Sequence, residues 1–292
     1  METFIQVTVS GLTLGAMYAV STIGLALVYG ALNMLNMSQG ALLAFGGYVC
    51  FYVMETLGLP APVAMLAAMA VGGALGLAIY LLVARPMLGS PMFETQIFIA
   101  TIGIGSVLQS VVLRLFGPQP KAQPLHVPGG VSLGGVVVPW QSLLILTIAL
   151  LMLAGVAWLL GKTRAGLAIR ATAQNRDAAQ LMGIRIGQVY AQVLMLSGAL
   201  AALSGIMVSS LSGLLPTMGV DPMLKAFVIC VVAGLGNVPG AAIAALMLGL
   251  LEAVIQYLFG AQHAFAILLA LVIIVLIWRP YGLFGKRQVV RL

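Results

Sequence analysis

Apolar runs of about 20 residues, separated by short polar or Gly/Pro-rich breaks, fill the chain. A hydrocarbon core of about 30 Å is crossed by a helix of about 20 apolar residues. The runs predict helices over 8–30, 40–57, 61–83, 93–116, 138–160, 188–212, 223–236, 240–259 and 264–278. The seventh and ninth are short. The seventh also carries Lys225 near its start and is followed by GLGNVPG (234–240), so eight spans stand as the alternative to nine. The longest polar stretch, GPQPKAQPLHVPGG (117–130), reads as a loop. The expected architecture is an all-α polytopic transmembrane bundle, one domain over 1–292 with no soluble domain.

Composition points the same way. Hydrophobic residues make up 62% and charged residues 7% of the 292, against roughly 25% charged in a soluble domain. Such a chain cannot cover its surface in water. The net charge of +7 does not indicate nucleic acid, because the basic residues sit at the ends of apolar runs and form no basic face with interleaved aromatics. Cys50 and Cys230 lie inside apolar runs with no ligand-spaced partner, which predicts packing rather than a disulfide or metal. METFIQ lacks a basic n-region, so no cleavable signal is expected.

The basic residues predict orientation. Arg85, Lys162, Arg164, Arg170, Arg176, Arg185, Arg279, Lys286, Arg287 and Arg291 fall on one side of the alternating spans; Arg114, Lys121 and Lys225 fall on the other. Short loops rich in Lys and Arg stay in the cytoplasm. The 162–187 loop and the C-terminus are therefore expected inside and, with nine spans, the N-terminus outside. Small residues share helix faces at Gly11 and Gly15, at Gly72 and Gly76, and at Ser197, Ala201 and Gly205. These permit close backbone approach, within the fold or between subunits.

KTRAGLAIRATAQNRDAAQLMGIR (162–185) holds six charged side chains: Lys162, Arg164, Arg170, Arg176, Asp177 and Arg185. About 25 residues is long for a connector. Asn175 suits an N-cap, Asp177 the first turn and Gly183 the C′ position. A capped helix of about two turns is predicted between them, presenting Ala178, Ala179, Leu181 and Met182. Residues 166–173 allow a further turn or two. An isolated helix this short is marginal in water. It needs a surface: lipid headgroups or a soluble partner.

The segment 163–184 resembles the cytoplasmic coupling loop of branched-chain amino acid ABC importer permeases, specifically the smaller H-type subunit. GLTLGAMYAVSTIGLALVYG (11–30) resembles that family's first helix, LNMSQG (35–40) its Asn-x-x-x-Gly turn, and RPYGLFGK (279–286) its C-terminal signature. ATIG (100–103) and GLGNVPG are also similar. The resemblance runs nearly end to end. It implies a multi-pass subunit of a bacterial inner membrane and a second, M-type permease subunit beside it. It also implies two cytoplasmic ATPases that receive the loop helix in a groove, and an external substrate-binding protein. Arg170, Asn175, Arg176, Asp177, Ala178, Ala179, Leu181, Met182 and Gly183 are the coupling residues it implies. Many members carry Ala-His where this chain has Ser38-Gln39. If that turn lines the path, a different substrate is open; the alternative cargo within the family is urea, short amides, or aliphatic or aromatic acids.

Catalytic chemistry is not visible. Gly161-Lys162-Thr163 invites a P-loop, but Gly155 is one residue too distant and the intervening VAWLL is membrane-apolar. His126 and His263 are single, and no paired-carboxylate or metal spacing occurs. An enzyme, a metal site and a cofactor are not expected. Path candidates are polar residues at helix breaks (Asn33, Asn36, Ser38, Gln39 and Asn237) and Glu252, the carboxylate well inside an apolar run. Thr101, Gln109 and Gln256 are weaker candidates. A self-sufficient secondary transporter would show an inverted repeat with ion-coordinating acids; only Glu252 answers to that.

Overall fold

The structure, a computed structural model, describes residues 2–90, 92–125, 127–133 and 136–285. His126 and the basic tail residues Lys286, Arg287 and Arg291 lie outside them. The elements are α1 (Glu2–Leu32), α2 (Gln39–Glu55), α3 (Ala61–Ile79), a π-helical turn (Tyr80–Ala84), α4 (Arg85–Met87) and α5 (Phe93–Phe116). A hairpin β1 (Gly130–Leu133) and β2 (Val136–Pro139) follows, then α6 (Trp140–Lys162), α7 (Arg164–Gln174), α8 (Arg176–Leu181), α9 (Ile186–Ser212), α10 (Val220–Ala233), α11 (Val238–Phe259) and α12 (Ala261–Trp278).

Among the described residues, seven helices are long and apolar enough to cross a membrane: α1, α3 with its continuation to Met87, α5, α6, α9, α11 and α12. The two other expected spans fall short, α2 at 17 residues and α10 at 14. The reason is local. After α1 ends, residues 33–38 fold back along it, and Gln39 packs against Gly24 and Ser197. Gly24 lies eight residues before the end of α1, about 12 Å at 1.5 Å per residue. So α2 begins inside the bundle. In mirror fashion α9 ends at Ser212, residues 213–219 fold back, and α10 begins beside the start of α2. There the backbones of Gly40 and Gly219 touch, so that a Cβ on Gly40 would come 2.7 Å from the Gly219 carbonyl oxygen. Two half-helices thus meet start to start inside the bundle.

The core forms around α1 and α9, the two most buried of the long helices. Glycine decides how closely α1 meets α11: a Cβ at Gly11 or Gly15 would lie 2.8 Å from the Cα of Leu250 or Leu246. Gly72 and Gly76 seat α3 on α9 in the same way, against Gly198 and Leu194. The small-residue faces read from the sequence therefore pack within the chain, where van der Waals contact stands in for the missing hydrophobic drive. The hairpin was not expected. Val136–Pro139 pairs antiparallel with Gly130–Leu133, β-branched residues favour strand, and the helix predicted from 138 starts at Trp140.

Candidate functional site

One end of the bundle carries the ends of α1 and α6, the start of α5 and the α7–α8 excursion. Thr163 caps α7, its Oγ1 accepting from the Gly166 N–H at 3.0 Å. With Gly166, Ile169 and Thr172 buried, α7 runs three turns, longer than the turn or two expected. Asn175 closes α7 and opens α8: its backbone is extended, and its Oδ1 accepts from the Ala178 N–H at 3.0 Å. At the far end Gly183 takes φ +85°. The Gly183 N–H donates to the Gln180 carbonyl, and the Ile184 N–H to that of Ala179. This is a Schellman closure, which the left-handed Gly makes possible. The six-residue helix is held at both ends, and Asp177 sits in its first turn.

The four apolar residues predicted on this helix divide. Ala179 turns inward and is 4% exposed, part of the core. Leu181 and Met182 are 88% and 84% exposed, and Ala178 is exposed beside them. Arg176 folds back over the buried Tyr190 ring, its Cζ 5.7 Å from the centroid, within cation–π range. Behind α7 and α8 lies a polar cavity lined by Asn33, Glu94, Thr172, Asn175, Arg176 and Tyr190. Arg170 is exposed on α7 and lines a different, apolar cleft.

The path candidates also divide. Asn33 ends α1 in a left-handed conformation, φ 54°, and its Nδ2 donates to Glu94 Oε1 at 2.6 Å. It sits at the α7–α8 end, beside the polar cavity. Asn36, Ser38 and Gln39 are buried at the start of α2. Asn36 Oδ1 accepts from the Ser38 N–H and Oγ, Met37 N–H donates to Thr101 Oγ1, and Ser197 Oγ donates to Gln39 Oε1. The bonds to the Met37 and Ser38 N–H groups satisfy backbone that an interrupted helix leaves open, and the other two tie side chains together. Gln109 faces a groove of about 290 Å³ with Gly40, Gly105, Ser106, Thr217 and Gly219, at the meeting of the two half-helices. Asn237 caps α11, accepting from the Gly240 N–H at 3.1 Å and donating to the Phe284 carbonyl at 2.9 Å.

Glu252, 1% exposed, is paired with the buried Lys225 at 2.7 Å. Lys225 also reaches Asp221 at 3.0 Å and donates to Tyr18 Oη at 3.1 Å, and Gln256 Nε2 donates to Glu252. Lys225, read from sequence near the start of the seventh apolar run and counted with the outer-side cations, sits within α10 and is buried there. Sequence reasoning missed this cluster. Its legible signals were Glu252, a carboxylate well inside an apolar run, and Asp221 four residues before Lys225; that these groups and the Tyr18 hydroxyl meet is visible only in three dimensions.

A family model described as branched-chain amino acid transport system / permease component matches residues 7–278. The chain is 32% identical to the high-affinity branched-chain amino acid transport system permease protein BraD of Pseudomonas aeruginosa, over 98% of this chain and 97% of that protein. It is 29% identical to the permease protein LivH of Escherichia coli K12, over 98% and 97%. Among solved structures, PsaBC from Streptococcus pneumoniae in complex with Fab shares the fold, with TM-score 0.50, 14% identity, and coverage of 94% of this chain and 91% of that one.

Proposed function

The chain belongs to the branched-chain amino acid transport system permease family, and on that premise we propose that it forms half of the translocation path of an ABC importer for branched-chain or related amino acids. Its partners are a second, M-type permease subunit, two cytoplasmic ATPases and an external binding protein. ATP is hydrolysed on the ATPases. The location is the bacterial inner membrane, with residues 1–292 as one permease domain and the C-terminus inside.

The observation that carries this is α8 itself. A helix capped at both ends, with Leu181 and Met182 almost wholly exposed, stands at the end holding Lys162, Arg164, Arg170, Arg176 and Arg185. Basic short loops favour the cytoplasm. Two bare apolar side chains on a fixed short helix suit a groove on a soluble partner. In this reading Ala178, Leu181 and Met182 meet the ATPase, Asn175, Asp177, Ala179 and Gly183 hold the helix in shape, and Arg176 forms its basic rim; Arg170, on α7, lines the apolar cleft instead. The polar cavity behind it gives the helix room to transmit movement to α1 and α5.

The path reading rests on the paired half-helices. Each fold-back plus its half-helix makes one passage, which supports nine passages, N-terminus outside. Broken helices with opposed starts are a common way to build a substrate route, and the groove of about 290 Å³ opens there. Asn36, Ser38 and Gln39 shape that break. The hydrogen bonds of Asn33 and Asn237 and the ion pair of Glu252 favour structural roles. Since Ser38 and Gln39 are buried against Asn36 and Ser197, their departure from Ala-His does not by itself favour another cargo.

The test is uptake of radiolabelled leucine into proteoliposomes holding the full complex, with binding protein outside and ATP inside the ATPase compartment. Uptake should need ATP and every subunit. Leucine movement by this chain alone, or indifference to the ATPases, would overturn the proposal. Uptake of urea or amides with leucine excluded would correct the cargo.

A further inference from the structure

We propose that the cleft between α1, α6, α7 and α11 binds one acyl chain of an anionic phospholipid of the cytoplasmic leaflet, with Arg170 on its phosphate. The cleft has a volume of about 420 Å³. α1 forms its floor, with Ile23, Leu27 and Ala31; α6 forms one wall, with Leu153, Ala157 and Gly161; the start of α11 forms the other. Ile23 to Ala31 and Leu153 to Gly161 are each eight helical rises, about 12 Å of helix. One leaflet of hydrocarbon is about 15 Å deep. The cleft thus runs most of a leaflet, from mid-bundle to the α7–α8 end.

Its chemistry is polarised. Two lining side chains are polar, Arg170 and Asn237. Asn237 is spent on the Gly240 N–H and the Phe284 carbonyl. Arg170 is exposed and, among the described residues, has no carboxylate within ion-pair distance. It stands on α7, at the end where the cleft meets the headgroup region, with Lys162 and Arg164 close by in sequence. The mouth is lateral: Ala157 is exposed, as are Leu150, Leu151 and Trp158 on the same helix. An apolar slot open to hydrocarbon does not hold water stably; the molecule at hand to fill it is a lipid tail. A cation at the tail's headgroup end selects an anionic lipid, at about 1 kcal/mol per basic residue. The guanidinium can grip a phosphate through two parallel N–H donors.

The experiment uses the full complex in nanodiscs of phosphatidylcholine doped with phosphatidylglycerol, and reads the lipid retained after detergent extraction by native mass spectrometry. The native complex should keep phosphatidylglycerol in preference to phosphatidylcholine. Arg170→Gln should lower that preference about fivefold, the loss of one cation's attraction. Ala157→Trp should fill the cleft and release both lipids. A photo-reactive residue at 157 in the otherwise native chain reads the occupant directly, whether or not the Trp variant folds; a lipid-mass adduct is expected. Equal retention of the two lipids, an unchanged preference in Arg170→Gln, or retained lipid in a folded Ala157→Trp complex would overturn the proposal. So would an adduct of the second permease subunit, or displacement of the lipid by free glycerol phosphate.

Discussion

The α8 knob and the Lys225–Glu252 pair are both polar islands in an apolar chain, and they solve opposite problems. At α8 the charges of Arg176 and Asp177 stay exposed, while two apolar side chains, Leu181 and Met182, are pushed outward. At the ion pair, charge is taken inside and given a partner. A lone buried charge costs several kcal/mol, and a second charge with further hydrogen bonds is what makes burial tolerable. Lys225 has Glu252, Asp221 and Tyr18 around it. The pair ties the half-helix α10 to α1 and α11, so it serves the fold. The knob leaves apolar surface unpaired, which is what the proposed docking to a partner calls for. Exposed apolar surface and paired buried charge are thus read in opposite directions.

The comparison can be broken most forcefully at Lys225. Lys225→Met leaves Glu252 buried without its cation, and removing one partner of a buried pair costs about 3–5 kcal/mol. The variant is expected to lose folded yield and melt far below the native chain, and Glu252→Gln in the same background should restore much of the loss. A native melting curve for Lys225→Met alone would mean the cluster is not structural. Gly15→Leu comes next: it forces α1 from α11 where a Cβ already lies 2.8 Å from Leu246 Cα. Overpacking of this kind costs about 1–3 kcal/mol, measurable as a lower melting temperature with α8 unaltered.

Asn175→Ala removes one cap of α8. N-cap losses run about 0.5–2 kcal/mol, and exposure of the Ala178 N–H to water points to the lower end. Hydrogen exchange should quicken over 178–184 while the α1 and α9 core stays protected. If exchange instead quickens throughout, the knob is not independent of the core. The smallest effect is expected at Asp221, whose side chain is 63% exposed. Asp221→Asn should cost no more than about 1 kcal/mol, because Glu252 still neutralises Lys225. A loss matching that of Lys225→Met would reverse the ranking of the two carboxylates.

The same contrast explains what could be read in advance. α8 was legible because its determinants are local: Asn175, Asp177 and Gly183 lie within nine residues, and caps act over one turn. Long helices were legible from apolar run length. The runs 40–57 and 223–236 fall on α2 and α10, but composition records that a segment is apolar and not where in the bundle it begins. Their meeting inside the bundle depends on the Gly40–Gly219 contact, between residues far apart in sequence. The division of Ala178 from Ala179 also escaped, since both are small and apolar. Only packing against α9 and its neighbours turns Ala179 inward. The position of Lys225 near the start of an apolar run was legible, but its burial was not, because that depends on Glu252 on α11, 27 positions away.

The central claim is that α8 passes ATPase movement to the membrane helices, and Ala178→Trp tests it most directly. Ala178 is exposed beside Leu181 and Met182, so the larger ring disturbs a partner and not the core. Ala179→Trp would damage the fold instead, being buried. The measurement is leucine uptake per ATP hydrolysed in proteoliposomes of the full complex, with the melting curve of the membrane chain as control. A close contact overpacked by about 1–3 kcal/mol weakens docking by about fivefold to a hundredfold. The account predicts lost uptake per ATP, or lost ATPase assembly, with native melting. Full assembly, hydrolysis and uptake in a natively folded Ala178→Trp complex would contradict it and leave α8 as an anchor at the lipid headgroups.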